Sequence, residues 1–326
     1  MKMLDLFSGI GGFHLGLEQA GFKFDWVGFS DIDKYANTQY KKRFPNAKEL
    51  GSVTDVQPGR DTPAHIDLLC GGFPCQSFSI AGLRGGFEDT RGTLIFEIVR
   101  ILRHYKDSGN PIPCFVIENV KGLLSHDSGR TFATIYRVLT DLDYTVECQL
   151  LNTRWFLPQN RARIYIVGHF RGEPRPKVFP IGETSKIPDK DRSEFRTVAI
   201  LPESDKPKGN WLPRERVLDV NGISRAISTS ESQHPYYETG LKQIGVLEKD
   251  AQQNRVYSTE GISKTGLYME GNKIRRLSPK ECSRLQGFPD WWCDGQSDAQ
   301  KYKQLGNAVS VPVVKAVGER LLKHIS

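Results

Sequence analysis

Short apolar runs alternate with helix-period stretches over the first 170 positions of this chain. The runs Met3–Phe7, Phe24–Phe29, Ile66–Cys70, Cys114–Glu118, Thr145–Leu151 and Arg163–Phe170 predict strands. The stretches Gly12–Ala20, Lys34–Phe44, Thr93–Tyr105 and Gly129–Leu142 predict helices. Strands that alternate with helices predict an α/β fold, a parallel sheet covered by helices on its faces. Too little chain separates the last two strands for a helical crossover, so they are expected to form an antiparallel pair at the edge. A parallel sheet with such an edge fits a doubly wound, nucleotide-binding domain.

The pattern changes after Phe170. Residues 171–215 carry many prolines and charges with little periodicity, and 216–275 hold short strand-like pieces among polar residues. Gly-Ile-Ser occurs at 222–224 and at 261–263, but two copies do not establish a repeat. Order in the pattern resumes at Leu277 and ends in an amphipathic helix, Val311–His324. The expectation is a large α/β domain, a smaller irregular insert and a final helix that returns to the first domain.

Composition adds little beyond class. With 326 residues, 38% apolar and 25% charged, the chain is of ordinary globular make-up. No apolar run is long enough to span a membrane. The strand-like Met3-Leu-Asp-Leu-Phe7 at the start leaves no room for a secretory signal. The six cysteines form no Cys-x-x-Cys pair, so neither a disulfide framework nor a metal site is expected, and reduced thiols fit a cytoplasmic location. A net charge of +7 leans toward a polyanionic partner, though many basic proteins never touch nucleic acid.

The chemistry sits at strand ends. Asp5-Leu-Phe-Ser-Gly-Ile-Gly-Gly-Phe13 puts a glycine-rich turn between the first strand and helix, where a ligand can approach the backbone closely. The alternative is a tight turn and nothing more. Asp31 ends the second strand, well placed for ribose hydroxyls, whereas Asp33 reads better as a helix cap. Gly71-Gly-Phe-Pro-Cys-Gln-Ser77 puts Cys75 beyond the Ile66–Cys70 strand, among proline, glycine and polar residues. Cys70, Cys114 and Cys148, inside apolar strands, read instead as small buried residues. Glu118-Asn-Val120 ends the next strand; two adjacent parallel strands would bring Glu118 to the same sheet edge as Cys75. A carboxylate there is costly unless paired or functional.

In this order the segments are distinctive, and the chain resembles the cytosine-5 DNA methyltransferases of bacterial and phage restriction–modification systems over nearly its whole length. Phe7-Ser-Gly-Ile-Gly-Gly12 matches the family's cofactor loop, Gly72-Phe-Pro-Cys-Gln76 the nucleophile segment and Glu118-Asn-Val120 the glutamate segment. Gln159-Asn-Arg-Ala-Arg163 matches the paired-arginine segment. Arg275 to Pro289 matches the segment that supports the recognition domain, and Gln304-Leu-Gly-Asn-Ala-Val309 the last segment, which returns to the cofactor pocket. The chain departs from the family in three places. Asp31 stands where Glu is frequent, Ser52 stands where many members have Asp, and neither Gly-Ile-Ser is followed by the family's Thr-Leu pair.

The resemblance implies an S-adenosylmethionine-dependent methyltransferase (Rossmann-like) sheet with a smaller DNA-recognition domain. The implied boundaries are 1–191 for catalysis and cofactor, 192–275 for target recognition, 276–302 for a hinge and 303–326 for the returning helix. Cys75 would attack carbon 6 of a flipped-out cytosine, with Glu118, Arg163, Asn119, Arg161 and Gln76 around the base. S-adenosylmethionine would lie against Phe7, Ser8, Gly9, Ile10, Gly11, Gly12, Asp31, Ile32, Ser52, Val53, Gly72, Pro74, Asn307 and Val309. The loop 77–92, with Ser79, Arg84 and Arg91, would close on DNA, and Arg225, Gln233, Lys264, Thr265 and Tyr268 would face base edges. The implied partners are double-stranded DNA and a cognate restriction endonuclease acting on the same site, with no membrane and no metal. A monomer is expected, because one flipped base needs one site.

Three rivals fit less well. An RNA-methylating relative would carry Cys-Phe-Thr near the insert, which is absent. An amino-group methyltransferase would have Asp/Asn-Pro-Pro-aromatic where Phe73-Pro-Cys75 stands. A silent DNA-binding regulator would not need Cys75, Glu118 and Arg163 together, and no helix-turn-helix precedes Met3.

Overall fold

The computed structural model describes residues 1–74, 94–171, 177–182 and 277–325, with the backbone alone of six short strands between 197 and 275. In chain order the first elements are β1 (Lys2–Leu6), α1 (Gly12–Gln19), β2 (Trp26–Ser30), α2 (Lys34–Arg43), β3 (Lys48–Glu49) and β4 (Leu68–Gly72). There follow α3 (Ile95–Asp107), β5 (Cys114–Val120), α4 (Arg130–Thr140), β6 (Tyr144–Asn152), β7 (Gln159–Asn160) and β8 (Ala162–Phe170). The six short strands are β9 (Thr197–Ile200), β10 (Arg216–Asp219), β11 (Ser224–Arg225), β12 (Tyr236–Glu238), β13 (Tyr268–Glu270) and β14 (Lys273–Arg275). Three helices close the chain: α5 (Pro279–Gln286), α6 (Asp298–Asn307) and α7 (Val311–Ile325).

Two compact units result. The first comprises Met1–Asn152, Ala162–Gly182 and Val309–Ser326; the second comprises Thr153–Arg161 and Glu183–Ala308. The first is an α/β unit around a seven-stranded sheet ordered β3-β2-β1-β4-β5-β8-β6. Strands β3 to β5 are parallel, and β1, β4 and β5 are buried along almost their whole length, which explains their unbroken apolar reading. Chain order reverses between β1 and β4, the place where such sheets open a crevice beyond their carboxyl ends.

The expected antiparallel pair is present at the sheet edge, β6 with β8, and the structure adds which of the two is outermost. β8 pairs antiparallel with both β5 and β6, so the reversed strand lies inside the sheet and β6 forms the rim. The short β6–β8 connection allows this, since a returning strand can insert beside β5 as readily as beside open solvent. The rim is guarded: Glu147 accepts from the amides of Val178 and Phe179 at 3.2 and 3.3 Å, and Gln149 exchanges two hydrogen bonds with Ile181. Cys148 on this outermost strand is exposed, unlike the buried Cys70 and Cys114, and the reading of it as a buried residue is corrected.

Helices cover the sheet by ordinary amphipathic logic. α3 buries Ile95, Ile98, Val99, Leu102 and Tyr105, a 3–4 spacing that makes one apolar stripe. α1 and α7 lie against each other at glycine contacts: a Cβ on Gly16 would come within 2.7 Å of Val314, and one on Gly318 within 2.8 Å of Ala20.

The second unit holds a five-stranded sheet ordered β14-β13-β12-β10-β9 and a two-stranded parallel pair, β11 with β7. α5 begins in a complete capping box, Ser278 with Glu281, has Pro279 in its first turn and ends at Gly287 in the left-handed region. No helix of the described residues is long and apolar enough to cross a membrane.

Candidate active site

In the first unit, the segments that carry Phe7–Gly12, Asp31, Gly72 and Glu118 lie where the parallel strands end. Leu6 is in register with Ser30 and with Gly71, and Gly72 with Glu118, so the segments after β1, β2, β4 and β5 leave the sheet at one edge.

After β1 the backbone turns through left-handed conformations at Phe7, Gly9 and Gly11, with φ of 52°, 52° and 84°. Two glycines supply that geometry without strain; Phe7 is the exception. The Ser8 amide donates to the Ser30 carbonyl at 3.1 Å and the Gly11 amide to Ser8 at 3.0 Å, while Ile10 points into the core. Gly11 and Gly12 open α1 without a side-chain cap. Asp31 reaches across from β2: one carboxylate oxygen accepts the Gly9 amide at 2.9 Å, the other the Asp33 amide at 2.8 Å. Burial pushes the Asp31 carboxyl above its ordinary range, and the two backbone donors oppose that push. Asp33 caps α2, accepting from the amides of Tyr35 and Ala36. Ile32 between them is 84% exposed, a large apolar side chain beside the carboxylate.

Ser52 shares a 2.7 Å hydrogen bond with the Thr54 hydroxyl. Val53 is buried, and its carbonyl accepts from Arg100 of α3 at 3.0 Å, while Arg100 also pairs with Glu97 at 2.7 Å. Arg100 thus ties this loop down. A guanidinium midway along an amphipathic helix gives no sequence signal of such a role.

At the ends of β4 and β5, Glu118 is 7% exposed and lies 3.1 Å from the guanidinium of Arg163 on β8. A buried carboxylate held beside a half-buried guanidinium has the cost of its charge offset. Gly72 makes room for it: a Cβ there would come within 3.2 Å of the Glu118 carboxylate. Asn119 donates to the Phe73 carbonyl at 2.8 Å and accepts the Val120 amide, anchoring the backbone two residues ahead of Cys75. Phe73 is buried and Pro74 exposed. Cys75 itself, with Gln76, Ser79, Arg84 and Arg91, lies outside the described residues.

In the second unit, Arg161 is 4% exposed and donates to the carbonyls of Gly306 and Ala308 at 3.1 and 2.9 Å, meeting the carboxyl end of α6. Gln286 of α5 donates to Leu305 and Ala308 there, leaving Asn307 exposed. Val309 resumes the first unit, buried. Arg225 and Tyr268 fall on β11 and β13, of which only the backbone is described; Gln233, Lys264 and Thr265 lie outside the described residues. Among the described residues, no cluster of His, Cys, Asp and Glu could hold a metal ion.

Sequence reasoning passed over Asp5, His14 and Tyr40, a buried polar group beneath the glycine turn. The signal was present, since Asp5 interrupts an apolar strand.

Comparison with known proteins agrees with the motif reading. A family model described as C-5 cytosine-specific DNA methylase matches residues 1–323. The chain is 38% identical to the Type II methyltransferase M.HpaII of Haemophilus parainfluenzae, the match covering 99% of this chain and 89% of that protein. Against the Type II methyltransferase M.HhaI of Haemophilus parahaemolyticus the identity is 35%, covering 97% and 93%. Among solved structures, the S. pombe Dnmt2 methyltransferase matches with a TM-score of 0.69 at 19% identity, over 100% of this chain and 99% of that one. The Entamoeba histolytica methyltransferase EhMeth gives 0.66 at 16%, with the same coverage. At such identities the structures speak for the fold, and the family match and the two closer sequences for the chemistry. The chain belongs to the C-5 cytosine-specific DNA methylase family and is a DNA (cytosine-5-)-methyltransferase.

Proposed function

We propose that the chain methylates carbon 5 of a flipped-out cytosine within a short duplex sequence, through a covalent adduct with Cys75. We further propose that it is the modification enzyme of a restriction–modification system, acting as a monomer beside a cognate endonuclease. The observation that carries the proposal is the register Gly72–Glu118 with Arg163 paired to Glu118, one strand connection from Cys75.

The donor set at the β1–β2 edge fits S-adenosylmethionine. Asp31 offers carboxylate lone pairs to ribose hydroxyls beside the Gly9 turn, where open space meets any added Cβ. Exposed Ile32 suits the face of an adenine, and the Ser52 hydroxyl can accept from its amino group. When bound there, S-adenosylmethionine supplies an electrophilic methyl group on a sulfonium.

Carbon 5 of cytosine is a poor nucleophile in the aromatic ring. Addition of the Cys75 thiolate to carbon 6 breaks the aromaticity and leaves carbon 5 enamine-like. Glu118 contacts N3 and the exocyclic amine and stabilises charge developing in the ring. Arg163 holds Glu118 and meets the base's O2. Asn119 fixes the backbone that carries Cys75. After methylation, loss of the carbon-5 proton returns its electron pair to the ring and expels Cys75. Flipping removes the base from its stack at roughly a few kcal/mol, and residues 192–275 read the flanking sequence.

The test uses radiolabelled S-adenosylmethionine and mixed-sequence duplex DNA, with wild type beside Cys75→Ser. Label in 5-methylcytosine from wild type alone supports the proposal. Label in adenine, in RNA only, or equal label from Cys75→Ser overturns it.

A further inference from the structure

Beneath the glycine turn runs a chain of polar groups that the proposed chemistry leaves unused. Asp5 on β1 is fully buried; one carboxyl oxygen accepts the Tyr40 hydroxyl of α2 at 3.0 Å, and the other lies 3.5 Å from the Cys70 thiol of β4. The Tyr40 oxygen also stands 3.0 Å from Nδ1 of His14 on α1, whose Nε2 pairs with Glu18 at 3.3 Å. Four elements that support the turn are therefore joined through one phenol and one carboxyl group.

Tyr40 is also the floor of the turn. A Cβ on Gly11 would meet the Tyr40 ring at 3.3 Å and the Phe44 ring at 2.7 Å. Apolar residues at 5 and 40 would fill this space without the desolvation cost of a buried carboxyl and hydroxyl. A polar pair retained there does something that packing alone does not: hydrogen bonds at both sides of the hydroxyl fix the ring's position, which hydrophobic contact leaves freer to slide.

We propose that Tyr40 is a positioning residue for the cofactor. Its ring seats the Gly11 turn, and its hydrogen bonds to Asp5 and His14 hold that ring in place, so nucleoside affinity depends on the hydroxyl. The inference rests on the reading that the Phe7–Gly12 loop binds S-adenosylmethionine.

Tyr40→Phe keeps the ring and removes both hydrogen bonds. Tyr144→Phe is the control, since the Tyr144 hydroxyl donates to the Ile112 carbonyl at 2.8 Å in the core and is equally buried. Binding of S-adenosylhomocysteine by calorimetry, KM and kcat on duplex DNA, and thermal midpoints are measured for all three proteins. Expected is a Kd and a KM for the cofactor about tenfold higher in Tyr40→Phe, the worth of one to two hydrogen bonds. Its kcat at saturating cofactor stays within about twofold, and Tyr144→Phe shows a lowered midpoint with unchanged Kd. An unchanged Kd in Tyr40→Phe, or an equal loss in Tyr144→Phe, overturns the inference alone. Wild type that fails to bind S-adenosylhomocysteine overturns the cofactor reading together with it.

Discussion

Alanine in place of Gly16 should destabilise the first unit, although helix propensity argues the other way. At an exposed helical position the exchange gains about 1 kcal/mol, because alanine has less backbone freedom to lose. Gly16 is not exposed: the new methyl would lie 2.7 Å from both Cβ and Cγ1 of Val314 and 2.9 Å from the Val311 carbonyl oxygen. Carbon pairs prefer about 3.5–4.0 Å, so α1 and α7 would have to separate by roughly 1 Å. The Val314 methyls can adjust; the Val311 carbonyl, as backbone, cannot rotate away. Overpacking of this kind costs about 1–3 kcal/mol. Against the propensity gain, the net loss is up to about 2 kcal/mol, or up to about 8 °C in midpoint for a unit of about 150–250 residues. Urea and thermal unfolding of Gly16→Ala, Val314→Ala and the double variant measure it. Val314→Ala loses stability on its own by emptying a filled site and relieves the Cγ1 contact, though its Cβ still faces the new methyl, so the double variant should lose somewhat less than the two singles together. A Gly16→Ala protein more stable than wild type by the full propensity gain of about 1 kcal/mol would refute the close-contact reasoning.

Asp5 gives a stability effect of opposite sign to the usual carboxylate. Burial pushes its carboxyl up to about 8, and its neighbours Tyr40 and Cys70, pushed up likewise, stay neutral while the Asp31 charge adds to the rise. From pH about 4 to about 8 the folded chain keeps a proton that the unfolded chain releases, so this contribution falls as pH rises. Asp5→Asn carries no such proton, and its midpoint should climb relative to wild type between pH 5 and pH 8; a constant difference would refute the assignment. Glu118→Gln should cut methyl transfer by about 10²-fold or more while S-adenosylhomocysteine binding holds within about threefold; single-turnover rates and calorimetry separate the two. Arg161→Met would take the Arg161 donor from the Gly306 carbonyl and leave the Ala308 carbonyl with Gln286, and a loss of about 2 kcal/mol in urea unfolding is expected.

Much of the α/β unit could be read from the chain because the buried strands β1, β4 and β5 are continuous apolar runs. The place of β8 could not, since nothing local distinguishes a strand that pairs on one side from one that pairs on two. Cys148 was misjudged for the same reason: the run Thr145–Leu151 looks apolar, and only the sheet order reveals that it lies at the rim. α5 carried clear signals in Ser278, Pro279, Glu281 and Gly287 that the reading did not use. In the candidate site, Glu118 was found by asking why a carboxylate leaves an apolar strand. Asp5 poses the same question one strand earlier and has its answer in Tyr40, 35 residues away. Arg161 illustrates the limit, with acceptors 145 and 147 residues further along.

The helix α7 belongs to the first unit although the chain reaches it only after Glu183–Ala308 has been made. On a ribosome adding about 5–20 residues per second, those roughly 125 residues take about 6–25 s. For that interval the side of α1 that carries Gly16 waits without its partner helix, its apolar surface open to chaperones and to other nascent chains. The time taken to synthesise the insert thus sets how long that surface stays open, and slow codons there would lengthen the exposure without altering a single residue of the finished chain.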